Sequence, residues 1–472
     1  MNHPAQQDAS QRPEPFDPWA SVVVASDVMA ATTDGAAGLA ARQASRLASL
    51  VAHASQRSPL YRRMIGACDD PASIRLRDLP AVRRPELMRH FADWVTDPTL
   101  DLDALRRFTA DRSRIAEAYG GRYVVWESSG SSGEPAIFVQ DAAAMAVYDA
   151  LEAFRRPMLR PLRRWLDPWC LGERMAFVGA TEGHFASVVS LQRLRRLNPM
   201  LSRRLRPFSF LQPLPQLVAQ LNAWEPTVVA TYPSVAVLLA RERRAGRLSF
   251  SPQEIWTGGE TLLPAERRLT ERTFACPLVN SYGASEFLTL ACECRFGRLH
   301  LNSDWVILES VDERGRDVPP GRPGASTLLT NLANHVQPLI RCDLGDRITV
   351  GSQACACGSH LPVIEVQGRS DDTLRLGPPG SAVDILPLAV CTVLEDDAGV
   401  FDFQLIQRSP SELLLNTPQT GPAAAEALHR AQAVLRAFLH RQGVAEVHIH
   451  CASGKHAQLG RSGKMQRVVI GS

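Results

Sequence analysis

The sequence contains almost no lysine. Of its 52 lysine and arginine residues, only Lys455 and Lys464 are lysines, and both lie close to the C-terminus. Arginine fills every other cationic position, although the two residues are not interchangeable: lysine offers a compact point charge and arginine a planar fork. A lysine retained in such a chain is therefore a candidate for a chemical role.

The sequence also lacks a strong charge of either sign and any long apolar run. A net charge of +3 in 472 residues is too balanced to predict a nucleic-acid or membrane partner. No apolar stretch approaches the length of a membrane span. The N-terminal segment MNHPAQQDASQRPEP has neither the charged nor the apolar region of a signal peptide. These absences predict a cytoplasmic protein.

Length and composition predict a globular protein with more than one domain. The chain is 45% hydrophobic and 21% charged, and 472 residues exceed one ordinary hydrophobic core. Residues 1–35 are rich in proline, glutamine and alanine, so we expect a loose N-terminal arm there. Arginines are dense over residues 155–206, where a solvated helical face is favoured over a nucleic-acid surface because few aromatic residues interleave.

A serine- and glycine-rich loop lies between two apolar, β-prone runs, residues 123–126 and 136–139. The loop, SSGSSGEP over residues 128–135, can direct successive N–H groups and hydroxyls toward a polyphosphate. It is not a Walker loop, because the Gly-Lys-Ser/Thr ending is absent. The alternative is a flexible hairpin turn.

From residue 207 short strands alternate with helices, which predicts parallel β-α units with a ligand at the carboxyl ends of the strands. Two of these ends carry loops, TGGE at 257–260 and SYGASE at 281–286. The paired glycines let a flat group approach the backbone. Tyr282 offers a stacking face, and Glu286 a hard oxygen ligand for Mg²⁺. Either loop alone is also ordinary turn chemistry.

The C-terminal third reads as antiparallel strands followed by a second unit. Asp346, directly after a glycine, can accept hydrogen bonds from two ribose hydroxyls, although Gly-Asp is also a common turn. The polar segment 368–372, GRSDD, marks a boundary. Strand and helix signals follow it, and the chain closes with a glycine-rich loop, residues 460–467, that presents Lys464.

In chain order, the motifs resemble those of the adenylate-forming superfamily of acyl-CoA synthetases. SSGSSGEP, TGGE, SYGASE, DLGD, GRSDD and GRSGK occur in that family's order. More closely, RLASLVAHASQRSPLYRR, PLIRCDLGD and the cysteine pattern resemble the phenylacetate-CoA ligase branch. The resemblance covers about residues 40–470.

The resemblance implies an α/β fold with a large adenylation domain of mixed β-sheets and helices over residues 36–369. A small, mobile α+β domain over residues 370–472 would follow on a hinge. It implies ATP- and Mg²⁺-dependent activation of a carboxylic acid, aromatic given the branch, as an acyl-adenylate. The acyl group would then pass to the thiol of coenzyme A, with release of AMP and pyrophosphate.

The resemblance also implies roles for individual residues. Lys464 would be the catalytic lysine, Glu286 would bind Mg²⁺, and Asp371 would be the hinge. The implied ATP-binding residues are Ser128, Ser129, Gly130, Ser131, Ser132 and Gly133 for the phosphates, Gly258, Gly259, Glu260, Ser281, Tyr282 and Gly283 for adenine, Asp346 for ribose, and Arg369 for ribose or phosphate. The candidates for the acyl pocket are Phe185, Tyr232 and Pro233.

Four residues have the chemistry of a structural zinc site. Cys294 and His300 flank the loop RFGRL, and Cys355 and Cys357 follow about 55 residues later. Three thiolates and an imidazole make a closed tetrahedral site, and the resembled branch has members with zinc at these positions. A cluster of reduced residues without metal is the alternative. The competing ligands are Cys292 and His360.

Three positions depart from the family pattern. Glu134 replaces the lysine of the phosphate loop, which removes a cation near the γ-phosphate that nearby arginines could replace. Asp343-Leu344 replaces the usual Tyr/Arg-Thr. Residues 376–380, LGPPG, replace an Arg-Gly turn that borders the CoA tunnel. The acceptor is therefore open between CoA, a carrier-protein thiol and an amine.

A catalytically silent nucleotide-binding scaffold is the alternative from a different functional class. Retention of Glu286, Asp346, Asp371 and Lys464 argues against it. The identity of the acid and the presence of a homodimer are left open by the sequence.

Overall fold

The computed structural model describes residues 15–66, 74–128, 136–157, 172–210, 212–369, 374–378, 382–385, 387–400, 402–444, 446–454 and 467–471. The helices are α1 (Pro18–Ala31), α2 (Ala36–Arg57), α3 (Pro59–Ile65), α4 (Arg84–Arg89), α5 (Phe91–Trp94), α6 (Leu102–Ala110), α7 (Ala142–Arg155), α8 (Ala186–Leu197), α9 (Pro199–Ser202), α10 (Leu214–Trp224), α11 (Pro233–Arg244), α12 (Pro264–Phe274), α13 (Pro387–Thr392) and α14 (Pro422–Arg441). None of the described helices is long and apolar enough to cross a membrane.

The described strands form several separate sheets. They are β1 (Val124–Glu127), β2 (Ile137–Gln140), β3 (Met175–Gly179), β4 (Leu205–Ser209), β5 (Val228–Thr231), β6 (Glu254–Gly258), β7 (Leu278–Ala284), β8 (Phe287–Glu293), β9 (Leu299–Leu301), β10 (Val306–Val311), β11 (Ser326–Asn331), β12 (Leu339–Asp343), β13 (Asp346–Val350), β14 (Val363–Arg369), β15 (Leu374–Leu376), β16 (Val383–Ile385), β17 (Gln404–Ser409), β18 (Glu412–Thr417), β19 (His448–Ser453) and β20 (Val468–Ile470).

The largest of these sheets has the order β13-β14-β9-β8-β7-β6-β5-β3-β4. The run from β4 through β3, β5 and β6 to β7 is parallel, and the run from β7 to β13 is antiparallel. Strands β5 to β7 are connected by α11 and α12, as the alternation of apolar runs predicts. The sheet therefore changes from parallel to antiparallel at β7, the strand that carries the SYGASE motif.

The C-terminal residues form a second, smaller α+β unit. Its sheet has the order β19-β18-β17-β20, and α14 packs against it. One apolar core contains residues of β15, β17, β18, α14 and β20, with Leu405, Leu413 and Leu435 fully buried. The predicted fold class, mixed sheets and helices followed by a small α+β unit, is confirmed. The domain boundary after residue 369 remains a prediction.

Part of the segment over which a loose arm is predicted, residues 1–35, is helical, and residues 1–14 lie outside the described part of the chain. Residues 18–31 form α1, which packs against α7. Its first turn is capped because the carboxylate of Asp17 accepts hydrogen bonds from the N–H groups of Trp19 and Ala20 at 2.9 and 3.0 Å. Pro18 occupies the first helical position, where its missing N–H costs nothing. Capping and packing thus account for the order of residues 18–31.

Two of the arginines over residues 155–206 differ from the solvated face that the sequence predicts, whereas Arg196, Arg203 and Arg206 are exposed. The Arg155 side chain is 4% exposed, and its Nη2 lies 2.7 Å from Oδ2 of Asp304. Arg193 is 1% exposed and pairs with Asp149 at 2.8 Å. Because a buried charge needs a partner, these two buried arginines are internal ties between α7, α8 and the following sheets.

Candidate functional site

The two predicted adenine loops lie side by side at the carboxyl ends of β6 and β7. Gly258 and Ser281 are register partners, and the Ser281 hydroxyl donates a hydrogen bond to the carbonyl of Thr257 at 3.3 Å. A Cβ at Gly258 would lie 2.8 Å from Ser281 Oγ, so a larger residue would push the loops apart. Gly259 has a φ of +79°, which favours glycine.

Glu260, the last residue of the TGGE loop, contacts α11, the helix that precedes β6. Its Oε2 accepts a hydrogen bond from the backbone N–H of Ser234, near the first turn of α11, at 3.1 Å. A carboxylate is favoured there by the helix dipole. The contact fixes the TGGE loop to α11 and so defines one wall of the site.

Gly283 sits where β7 and β8 approach most closely. A Cβ at this position would lie 1.9 Å from the carbonyl oxygen of Leu288, which no side chain can tolerate. The register of the two strands shifts between Tyr282 and Ala284. Such an irregularity re-aims side chains, and here it accompanies the turn of Tyr282 toward β13.

Tyr282, Asp346 and the backbone of Arg369 are linked within the same sheet. The phenol hydroxyl of Tyr282 donates a hydrogen bond to Oδ2 of Asp346 at 2.5 Å. Asp346, the first residue of β13, is the register partner of Arg369 in β14. The residues predicted for adenine, ribose and phosphate, which belong to three separate motifs, are therefore neighbours.

The turn before Asp346 is held by a residue that departs from the family pattern. Asp343 Oδ1 accepts hydrogen bonds from the Ser326 hydroxyl at 2.5 Å and from the Gly345 N–H at 2.9 Å. Gly345 has a φ of +71°. Asp343 thus stabilises a tight turn from β12 into β13, and this turn presents Asp346.

Glu286 is buried at the start of the β8 hairpin, with 3% of its side chain exposed. Its backbone carbonyl accepts a hydrogen bond from Asn331 Nδ2 at 2.9 Å, and the Trp126 indole holds the carbonyl of Ser285 at 2.8 Å. Its Oε1 accepts no hydrogen bond from any described residue. A buried carboxylate fits the hard-ligand chemistry of Mg²⁺, so the residue fits the ion that the family resemblance implies, and the guanidinium of Arg84 forms an ion pair with the same oxygen.

Arg84 is a site residue that the sequence reasoning missed. Its Nε lies 3.3 Å from Oε1 of Glu286, and its side chain is 23% exposed. The segment before it lies alongside β12, because the N–H of Val82 donates to the carbonyl of Arg341 at 3.0 Å and Asp343 N–H donates back at 2.9 Å. No local pattern indicates this contact, which joins distant parts of the chain.

The serine- and glycine-rich loop begins and ends at one point. The N–H of Ser128 donates to the carbonyl of Ala136 at 2.8 Å, and the N–H of Ala136 donates to the Ser128 hydroxyl at 3.0 Å. The strands that flank it, β1 and β2, pair antiparallel as predicted. Several of the predicted site residues lie outside the described part of the chain, namely Ser129, Gly130, Ser131, Ser132, Gly133, Asp371 and Lys464. The side chain of Arg369 lies outside it as well.

The acyl-pocket candidates lie at the edge of the parallel part of the sheet. Phe185 and Tyr232 are 9% and 6% exposed, and both pack near Phe210, whose ring meets Tyr232 edge-on at 5.8 Å. Burial raises the pKa of Tyr232 to about 12, so its hydroxyl stays neutral. Pro233 is the first residue of α11. These residues form an aromatic wall two strands away from the SYGASE motif.

The four predicted zinc ligands are brought together. The Sγ atoms of Cys294, Cys355 and Cys357 and the imidazole of His300 all lie within 4.8 Å of one another. Cys294 and Cys355 have their sulfurs 3.8 Å apart, and Cys357 Sγ lies 3.3 Å from His300 Nε2. Tetrahedral zinc with Zn–S bonds near 2.3 Å requires about 3.8 Å between sulfurs and about 3.5 Å from sulfur to nitrogen. These two distances and the donor set fit zinc.

Outer contacts orient these ligands. His300 Nδ1 lies 2.9 Å from the carbonyl of Leu361, which leaves Nε2 free to face the sulfurs. A hydrogen bond from the backbone of Cys357 lowers the pKa of the Cys355 thiol to about 7, which favours the thiolate that binds metal. Cys292 and His360, the competing ligands that the sequence offers, are not members of the cluster. Burial raises the pKa of Cys292 to about 12.

Comparison with known proteins supports the resemblance. Over 374 residues the chain is 26% identical to a phenylacetate-coenzyme A ligase of Thermus thermophilus, and the match covers 75% of each protein. The chain is a phenylacetate-CoA ligase homologue. No protein-family model matches it.

Solved structures show the same fold for this homologue. A 2-hydroxyisobutyryl-CoA ligase in its postadenylation state overlaps with a TM-score of 0.66 at 18% identity, covering 100% of this chain and 94% of that one. The same enzyme in its thioesterification state overlaps with a TM-score of 0.56 at 21% identity, covering 100% and 96%. The fold of the adenylate-forming ligases is thereby confirmed for this chain.

Proposed function

We propose that the protein is an AMP-forming acid–thiol ligase that activates a carboxylic acid with ATP and transfers the acyl group to coenzyme A. The observation that carries the proposal is that contacts within one sheet join residues of separate motifs. The hydrogen bond from Tyr282 to Asp346 joins two of them, and the Gly258–Ser281 register joins a third.

In the first half-reaction a carboxylate oxygen of the acid attacks the α-phosphorus of ATP, and pyrophosphate leaves. Tyr282 and the Gly258-Gly259-Glu260 loop hold adenine between them, and Asp346 accepts hydrogen bonds from the ribose hydroxyls. The loop that starts at Ser128 binds the β- and γ-phosphates. Two anions approach each other in this step, so fixed positive charge at the α-phosphate lowers the barrier.

In the proposal Lys464 and a Mg²⁺ ion supply that charge. Lys464 contacts both the carboxylate of the acid and the α-phosphate. Glu286 would hold the Mg²⁺ ion, which neutralises phosphate oxygens when bound. In the second half-reaction the sulfur of CoA attacks the acyl carbon, the bond to AMP breaks, and a thioester forms.

The class of acid is a finer part of the proposal. We propose an aromatic acid, because Phe185 and Tyr232 form a buried aromatic wall with Phe210 near the site. Aromatic rings favour edge-on or offset contact with another ring. A solved structure with the same fold is a 2-hydroxyisobutyryl-CoA ligase, so short aliphatic acids belong in any test.

The experiment is acid-dependent exchange of labelled pyrophosphate into ATP, measured with aryl, arylacetic and short aliphatic acids. The proposal expects exchange with arylacetic or aryl acids in the absence of any acceptor. Addition of CoA to an active acid should then yield the thioester and AMP in equal amounts. Exchange without thioester formation would indicate a carrier-protein or amine acceptor, and no exchange from ATP-binding protein would leave the scaffold alternative.

A further inference from the structure

One side chain of the large domain lies inside the core of the C-terminal unit. Leu263, which precedes α12, is 3% exposed and belongs to the same apolar cluster as Leu374, Phe403 and Val468. Its neighbour Leu262 packs instead with the large domain. The two units therefore meet along the start of α12, only a few residues beyond the TGGE loop.

An ion pair closes this contact. Arg467 Nη2 lies 2.7 Å from Oε1 of Glu266, with the two side chains 13% and 2% exposed. The second oxygen of Glu266 accepts a hydrogen bond from the N–H of Leu263 at 3.0 Å, so the carboxylate is fixed on its own helix. The guanidinium of Arg467 also lies over the ring of Phe403, 5.5 Å from its centre.

A second ion pair crosses the same contact. Arg241, near the end of α11, pairs with Asp402, which precedes β17. Both pairs thus place an arginine of one unit against a carboxylate of the other. In the first pair the C-terminal unit contributes the arginine, and in the second pair the large domain contributes it. Burial raises the pKa of Glu266, and the positive charge of Arg467 opposes that shift. The hydrogen bond from Leu263 N–H and the charge of Arg241 act in the same direction as Arg467, with smaller effects.

The ion pair stands at the end of the lysine loop. Arg467 follows Lys464 by three positions, and its carbonyl accepts a hydrogen bond from the N–H of Leu405 at 2.7 Å. On the other side, Glu266 follows the last residue of the TGGE loop by six positions. The pair therefore connects the base of the lysine loop to the helix that follows the proposed adenine site.

The arrangement of the two units matches one solved state better than another. The TM-scores are 0.66 and 0.65 with 2-hydroxyisobutyryl-CoA ligase in its postadenylation state. They are 0.56 in its thioesterification state and 0.54 in an open conformation. The sequence identity stays between 18 and 21%, so the difference in TM-score reflects the conformation of that enzyme.

We propose that the Glu266–Arg467 ion pair holds the C-terminal unit in the arrangement for adenylate formation, which makes both residues positioning residues for Lys464. The inference rests on the proposed function. The pair opens when the unit rearranges for thioester formation, so it favours the first half-reaction and has no role in the second.

Glu266→Gln tests the pair with little change in shape. The glutamine can still accept the hydrogen bond from Leu263 N–H, but it no longer attracts Arg467. We expect the rate of pyrophosphate exchange to fall at least about tenfold, because the interaction energy of a buried ion pair is lost. Conversion of supplied acyl-adenylate and CoA into thioester should stay within about twofold of the wild-type rate.

Further variants separate positioning from folding. Arg467→Lys keeps the charge and should restore part of the exchange rate, whereas Arg467→Gln should not. The double variant Glu266→Gln with Arg467→Gln should lose no more than either single variant, because both remove the same contact. Glu412→Gln is the matched control, since Glu412 is half-buried and pairs with the exposed Arg408 within the C-terminal sheet at 3.4 Å.

The outcomes are distinct. An unchanged exchange rate in Glu266→Gln, or an equal loss in both half-reactions, would overturn the inference. Additive losses in the double variant would also overturn it. If the wild-type protein catalyses neither exchange nor thioester formation with any acid, the proposed function fails instead.

Discussion

Arg84 Nε lies 3.3 Å from Oε1 of Glu286, deep in the proposed ATP site. The phosphate loop has Glu134 where the resembled family has a lysine, so the loop itself lacks a cation. Arg84 is anchored beside β12 through the backbone of Val82. We infer that this arginine, which comes from a different part of the chain, supplies the missing positive charge.

Arg84→Ala should therefore weaken the use of ATP. We expect kcat/KM for ATP to fall by about two orders of magnitude, because a charge that acts on the phosphates in the transition state is lost. Arg84→Lys should retain part of the activity. The neighbouring Arg83 is the matched control, since its side chain is 79% exposed and lies 3.7 Å from Asp343. Equal kinetics in Arg83→Ala and Arg84→Ala would contradict the assignment.

Variants of Tyr282 and Asp346 distinguish the proposed adenine role of the first residue from the proposed ribose role of the second. Asp346→Asn removes the charge that would accept ribose hydroxyls, so the KM for ATP should rise about tenfold or more. Tyr282→Phe keeps the ring for adenine and loses only one hydrogen bond, so its effect should be smaller. ATP titrations of the exchange reaction give both values. A larger loss in Tyr282→Phe would refute the ribose role of Asp346.

The cysteine cluster should hold one zinc ion per chain. Elemental analysis of the purified protein measures it, and Cys294→Ala or Cys357→Ala should abolish the stoichiometric metal because a closed site needs all four ligands. Removal of the metal should lower the melting temperature, as expected for a structural site. Cys451→Ala is the control, since Cys451 is exposed and outside the cluster. Metal retained in the ligand variants would exclude this site.

Gly283 should tolerate no side chain. A Cβ there would lie 1.9 Å from Leu288 O, so Gly283→Ala must separate β7 from β8, at a cost of about 1–3 kcal/mol or more in the free energy of unfolding. Chemical denaturation measures the change. Gly35→Ala is the control, because a Cβ there meets nothing within 4 Å. Similar stability of the two variants would contradict the close approach.

Much of the fold follows from local signals in the sequence. The alternation of strands and helices predicted after residue 207 is confirmed, and α12 begins, as such helices often do, with a proline at its first position. The strands that carry TGGE and SYGASE were also predicted, and strand ends of a parallel sheet meet at one edge. The grouping of Gly258, Ser281 and Tyr282 follows from that rule.

The parts that sequence reasoning missed depend on contacts between distant residues. The composition of residues 1–35 favours disorder, but residues 18–31 form α1, which the cap at Asp17 and packing on α7 stabilise. Arg155 looks like a surface residue until its partner Asp304 is known. The pairing of Arg84 with Glu286 leaves no local trace either, since each residue has an ordinary neighbourhood in the sequence.

The chain's two lysines offer the most direct test of the central claim that it forms an acyl-adenylate. Pyrophosphate exchange with an active acid should be measured for Lys464→Ala and Lys455→Ala side by side. Lys464→Ala should lose about two to three orders of magnitude, because a preorganised charge at the α-phosphate is removed, and Lys455→Ala should exchange at the wild-type rate. Full exchange in Lys464→Ala, or equal losses in both variants, would contradict the account.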